Sequence, residues 1–110
     1  MKFERYCIEC GERFEAGHRK AEFCCSGHRY EFSNRRRQRG MAVYDVFMAM
    51  RYERGLQKLF GLWTLMCRMA EAWRDEDKAQ RAGRKSWQDV KELYERGEFT
   101  RYNYTHKGRV

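Results

Sequence analysis

Cys7-Ile8-Glu9-Cys10-Gly11 and Phe23-Cys24-Cys25-Ser26-Gly27-His28-Arg29 decide how this chain of 110 residues folds. Thirteen residues separate Cys10 from Cys24, so a short loop joins two close pairs of soft ligands. That is the layout of a closed tetrahedral zinc site. Cys7 and Cys10 can grip one side of the ion from a tight turn, with Gly11 letting the backbone reverse. Cys24 and His28 stand four apart, one helical turn, and can face one point from the start of a helix. Cys25 leaves the register open, because Cys25-x-x-His28 would fit the metal too. A lone cysteine pair is often buried apolar filler. Two spaced pairs with a glycine behind the first argue for the metal.

The two segments resemble the treble-clef zinc knuckles of the FCS type, which include the small bacterial DNA gyrase inhibitor family. That pattern is a Cys-x-x-Cys-Gly knuckle, then Phe-Cys-Ser-x-x-Cys-Arg opening a helix. Cys7 to Gly11 and Phe23 to Arg29 occupy those places. The resemblance selects Cys24 over Cys25, so it implies Cys7, Cys10, Cys24 and His28 as the ligands of a Zn2+ ion. His28 stands where the family has its last cysteine, an exchange that zinc accepts. Cys25 stands where the family has a helix-capping serine, and Ser26 is expected to take over that cap. The resemblance covers the first quarter to third of the chain and leaves function open.

Composition sets the remaining bounds. The length suits one domain with a modest core. The 42% hydrophobic and 15% aromatic content argues for a folded protein, and the absence of proline favours helices. The start, Met1-Lys2-Phe3-Glu4-Arg5, is charged and lacks the apolar run of a secretory leader. Leu56 to Trp73 is interrupted by Gln57, Lys58, Arg68 and Glu71, so no membrane span is expected. Five cysteines without a secretion signal point to reduced thiols and a cytoplasmic setting. Net charge is +8, and arginine supplies 17 of the 24 basic residues. Forked guanidinium contacts suit phosphate or carboxylate, so the partner is a polyanion or an acidic protein surface.

The expected fold is mainly α with a small N-terminal β-hairpin zinc module: a treble-clef zinc finger followed by a helical bundle. It forms a single domain with a zinc finger and basic helix over 1–39, a helical region over 40–97 and a tail over 98–110. Phe3, Tyr6, Ile8 and Phe14 are spaced for a hairpin with one covered face, which Phe23 closes. His18, beside Gly17, reads as an exposed bystander. A helix starts near Ser26, breaks at Gly40, and resumes from Met41 to Arg54 with Val43, Tyr44, Phe47, Met48 and Met50 inward and Gly55 as its cap. Leu56 to about Arg81 reads as the longest helix, with an apolar stripe through Leu59, Phe60, Trp63, Met66, Cys67, Ala70 and Trp73. That stripe is expected to be buried on Tyr44, Phe47 and Met48, with a homodimer through 56–73 as the alternative. Four methionines between 41 and 66 make either packing adaptable. Glu71 to Arg84 is expected to be polar and exposed. Ser86 is expected to start a last helix with Trp87, Val90, Leu93 and Tyr94 inward and Gly97 as its stop. Phe99 to Thr105 then alternates like a strand, and His106 to Val110 is an unstructured end.

Arg35-Arg36-Arg37-Gln38-Arg39 is the densest charge in the chain. A solvated face is the bland account of such a run. Against it, the nearest acids on either side are Glu31 and Asp45. The first functional expectation is therefore a regulatory nucleic-acid-binding protein, DNA before RNA. Arg29, Asn34, Arg35, Arg36, Arg37 and Arg39 would lie along the phosphates, with Tyr30 or Asn34 at the bases. The second is a protein-binding adaptor or inhibitor of a nucleic-acid-processing enzyme, which the gyrase-inhibitor resemblance favours. Its size and style would suit a phage-encoded protein. No catalysis is expected, because four protein ligands leave zinc no open position. A treble-clef nuclease would need His18, His28, Asn34 and His106 in a constellation that their spacing does not support.

Overall fold

The computed structural model describes residues 2–100. Two short strands open the chain, β1 (Phe3–Tyr6) and β2 (Arg13–Ala16), and four helices follow. These are α1 (Ser26–Tyr52), α2 (Arg54–Phe60), α3 (Leu62–Gln80) and α4 (Val90–Glu95). The chain is mainly helical behind an N-terminal hairpin, as its composition predicts. The strand pattern proposed for Arg101 to Thr105, the chain end, and His106 lie outside the described residues.

The strands pair antiparallel with Phe3 opposite Ala16 and Arg5 opposite Phe14. Successive strand residues face opposite sides, so Phe3 and Tyr6 cannot share the covered face. Tyr6 is exposed, and Arg5 takes the inner place, donating from Nε to the Ala21 carbonyl at 2.8 Å. Across the outer face Arg13 pairs with Glu4 at 2.7 Å. Phe23 meets the ring of Phe32 edge-on at 5.5 Å, which seats the hairpin module on α1.

Helix α1 runs through Gly40 without a break. A helical glycine costs about 1 kcal/mol relative to alanine, and nothing opposes the ladder on either side. The break comes later, at Glu53, whose backbone leaves the helical region, so Glu53 rather than Gly55 ends the helix and Gly55 lies inside α2. The expected long helix from Leu56 to Arg81 is also divided. Gly61 adopts the left-handed conformation, φ 60°, and separates α2 from α3. Such a residue closes one helix and admits no continuation. Gly97 stops α4 as expected, with a positive φ and its amide on the Tyr94 carbonyl. Ser86 does not begin that helix. Asp89 caps it, its side chain accepting from the Lys91 amide at 2.9 Å.

Very little of the apolar content is buried. The apolar core is Cys7, Ala16, Phe32 and Leu62, joined by buried Asp77, Arg81 and Ser86. On α3 the inward row is Leu62, Met66, Met69, Trp73 and Asp77, so the stretch expected to be polar and exposed contributes two of the most buried residues, Asp77 and Arg81. Of the Leu56–Trp73 stripe only Met66 and Trp73 turn inward, and the rest is not buried on Tyr44, Phe47 and Met48. Leu59 is 73% exposed and Phe60 65% exposed, and Tyr44, Phe47, Met48 and Trp63 also face outward. Trp87, Val90 and Tyr94 of the last segment are exposed as well. The radius of gyration, 17.4 Å, exceeds the roughly 13 Å of a compact chain this long. No helix of the described residues is long and apolar enough to cross a membrane.

Candidate metal centre

The loop between β1 and β2 is the first half of the site. Its amides hold a tight turn: Cys7 donates to Glu12 at 2.9 Å and Gly11 donates to Cys7 at 2.8 Å. Ile8 donates to Glu22 at 2.9 Å, which draws in the segment ahead of Cys24. The Glu12 amide donates to Cys10 Sγ, 3.4 Å away. Gly11 has φ 78°, and a Cβ there would lie 3.1 Å from Arg84 Nη1. Gly11→Ala is therefore expected to cost about 1–2 kcal/mol through backbone strain. A drop in denaturation midpoint against Gly17→Ala, which meets open space, checks it.

The second half comes from the start of α1. Cys25 is the N-cap, with an extended backbone, and no side chain caps the helix. The expected cap from Ser26 is not made, because Ser26 is already the first helical residue. Cys24 and His28 bracket that first turn, as their spacing requires. The sulfurs of Cys7, Cys10 and Cys24 and a ring nitrogen of His28 all lie within 4.8 Å of one another. A tetrahedron with metal–sulfur bonds of about 2.3 Å has edges of about 3.8 Å. The observed separations are 3.8 Å for Cys7 to His28 Nδ1, 3.9 Å for Cys10 to Cys24, and 3.1 Å for Cys24 to His28 Nδ1. The donor set therefore fits a metal ion. Cys25 Sγ approaches Cys24 at 3.9 Å but is not one of the four grouped residues.

The thiols feel their crowding. Burial pushes Cys7 up, but the backbone amides of Cys10, Cys24 and Glu9 and the ring of His28 outweigh it, bringing the thiol down to about 6. Cys24 is pushed up to about 12 by desolvation and by the sulfurs of Cys7, Cys10 and Cys25. Three thiolates this close repel one another unless a cation lies between them.

An ionic clamp fixes the turn to the helices. Glu9, between the two knuckle cysteines, accepts two bonds from Arg35 of α1 at 2.6 and 3.2 Å and one from Arg81 at 2.6 Å. Burial pushes the Glu9 carboxyl up, and the hydrogen bonds and charges of Arg35 and Arg81 more than reverse this. Arg81 also donates to the Ile8 and Glu9 carbonyls, and Arg84 donates to Glu9 at 3.0 Å. Arg35 Nε donates to Ser86 Oγ, which donates onward to Asp77. Asp77 in turn accepts from Arg39, which also holds Glu76 at 2.7 Å. The guanidinium carbons of Arg35, Arg36 and Arg81 lie 5.5–5.8 Å from the centre of the Phe32 ring.

This divides the proposed nucleic-acid residues. Arg35 and Arg39 turn inward into ion pairs, so their charge is neutralised across the fold rather than along the helix. Arg29, Arg36 and Arg37 are exposed and Asn34 is half-buried. Of the residues that sequence reasoning passed over, Glu9, Arg81, Arg84 and Ser86 left no signal, because their partners come from distant segments. Asp77 left one. It stands one turn after Trp73, on the continuation of the apolar row. Compared with models of protein families, with curated proteins and with solved structures, the chain matches none.

Proposed function

We propose that this chain is a small zinc-finger protein that binds nucleic acid, DNA before RNA, in a regulatory rather than catalytic role. Zn2+ is the ion that three cysteines and a histidine in a closed tetrahedron suit best. Free thiols accord with a reducing, cytoplasmic setting. The observation that carries the reading is what remains of the arginine run once the clamp is subtracted. Arg29, Arg36 and Arg37 enter no ion pair among the described residues. Arg29 and Arg36 share a cleft of about 350 Å³ with His18 and Lys20 beside the metal module, where Glu22 is the one acid. The FCS-type resemblance of the knuckle is compatible with this use.

Arg36→Gln combined with Arg37→Gln is expected to weaken duplex binding roughly tenfold at low salt and reduce the salt slope by about 1.8, at 0.9 per phosphate. Fluorescence anisotropy across a salt series reads both. Unchanged affinity, or no duplex binding by the parent protein at low salt, overturns the reading. Arg35→Gln is unsuitable for this test, because its loss breaks the clamp.

One observation favours a second reading. The exposed apolar residues of α2 and α3 suit a protein surface, either that of an enzyme which the chain inhibits or adapts, or a second copy docked through 56–73. A chain that ignores nucleic acid and sediments as a complex would support it.

A further inference from the structure

At the opposite end of α1 the chain turns through Glu53 into α2, and a cleft opens against the start of α3. It measures about 700 Å³ and is lined by Met50, Arg51, Arg54, Gln57, Lys58 and Trp63. Its lining holds three cations and no acid. None of the three forms an ion pair among the described residues. Trp63 is 60% exposed. The Arg51 guanidinium lies 5.0 Å from the centre of the Tyr52 ring.

An exposed indole beside unpaired cations matches the needs of an unstacked base and its phosphates. The aromatic ring offers a stacking platform that tolerates any base, and the cations track the backbone. A duplex hides its base faces and cannot use the indole. An acidic peptide could use the cations alone. We propose that this cleft binds a nucleotide unit of single-stranded nucleic acid, with the base on Trp63 and the phosphates on Arg51, Arg54 and Lys58. The site does not depend on the contact surface beside the metal module. From Arg36 to Arg51 the helix rises about 22 Å, at 1.5 Å per residue.

The test uses the full chain with zinc bound and an oligothymidylate of about eight nucleotides, with an octaglutamate peptide alongside. Binding is followed by anisotropy, and oligomeric state by sedimentation. Trp63→Leu is expected to weaken oligothymidylate binding roughly tenfold or more. Arg54→Gln with Lys58→Gln is expected to do the same and to flatten the salt dependence. Arg36→Gln with Arg37→Gln, the variant that tests duplex binding, leaves single-strand affinity within about twofold. Because Trp63, Arg54 and Lys58 are all exposed, unchanged melting curves accompany these effects. Three results overturn the proposal: oligothymidylate affinity indifferent to Trp63→Leu, octaglutamate bound as tightly as oligothymidylate, or a dimer in the parent protein that Trp63→Leu dissociates.

Discussion

Chelating the metal is expected to unfold the hairpin module and detach it from α1. Between them, the hairpin and its loop bury Cys7 and Ala16, with Phe3 and Phe14 half-covered. A pair of four-residue strands is at best marginal in water without more support. Metal binding at about 10–16 kcal/mol, typical of structural zinc in small fingers, would supply the difference. A chelator, or Cys7→Ser, should therefore abolish the near-ultraviolet signal of the module and lower the melting temperature steeply. Stoichiometry should read one equivalent of zinc, and readdition should restore the fold. Cysteine ligands bind as thiolates, so acidification should release the metal as protons compete for them. A melting curve indifferent to the chelator would remove the metal from the account.

The second large effect is expected at Asp77. This carboxylate is 1% exposed and accepts from Arg39 and from the Ser86 hydroxyl. Asp77→Ala strands Arg39 in a half-buried position and breaks the chain of bonds to Arg35 and Glu9. Losing one partner of a buried pair costs about 3–5 kcal/mol. Glu76→Ala removes the exposed half of the same contact and should cost no more than about 1 kcal/mol. Urea denaturation of the two variants separates them. Equal midpoints would show that the network carries no stability.

The pH dependence of that network has a definite sign. Burial pushes the Asp77 carboxyl up, and Arg39 and Ser86 more than reverse this, holding it below its ordinary value of 3.8. Glu9 is likewise held below 4.5. A carboxylate with a depressed folded-state value stabilises the fold above its unfolded value. Its contribution is lost as pH falls through the folded value. The clamp should thus be at full strength at neutral pH and weaken below about pH 4.

The Cys/His cluster was legible because its signal is local. Cys7, Cys10 and His28 announce themselves through spacing within single turns, whose geometry is set by their own residues, whereas the choice of Cys24 over Cys25 came from the FCS-type resemblance. The arginine run was legible as a feature and opaque in its use. Nothing near Arg35 or Arg39 in the chain reveals that Glu9 or Asp77 will arrive from 26 or 38 positions away. Helix ends fared worse. Gly40, Gly55 and Gly61 look alike in sequence, yet only Gly61 takes a positive φ. Amphipathic spacing also overstated burial, since a stripe through Leu59, Phe60 and Trp63 says that a face exists and not what covers it.

The interior described above has a thermal consequence. Its centre is one phenyl ring surrounded by guanidinium groups, and most of the apolar side chains are already wet in the native state. The heat-capacity increment on unfolding scales with newly hydrated hydrocarbon and is offset by newly hydrated polar surface. This chain gains little of the former, while buried Asp77, Arg81 and Ser86 add to the latter. Its free-energy curve is therefore shallow in temperature, with cold and heat denaturation both remote from the maximum relative to the depth of the well.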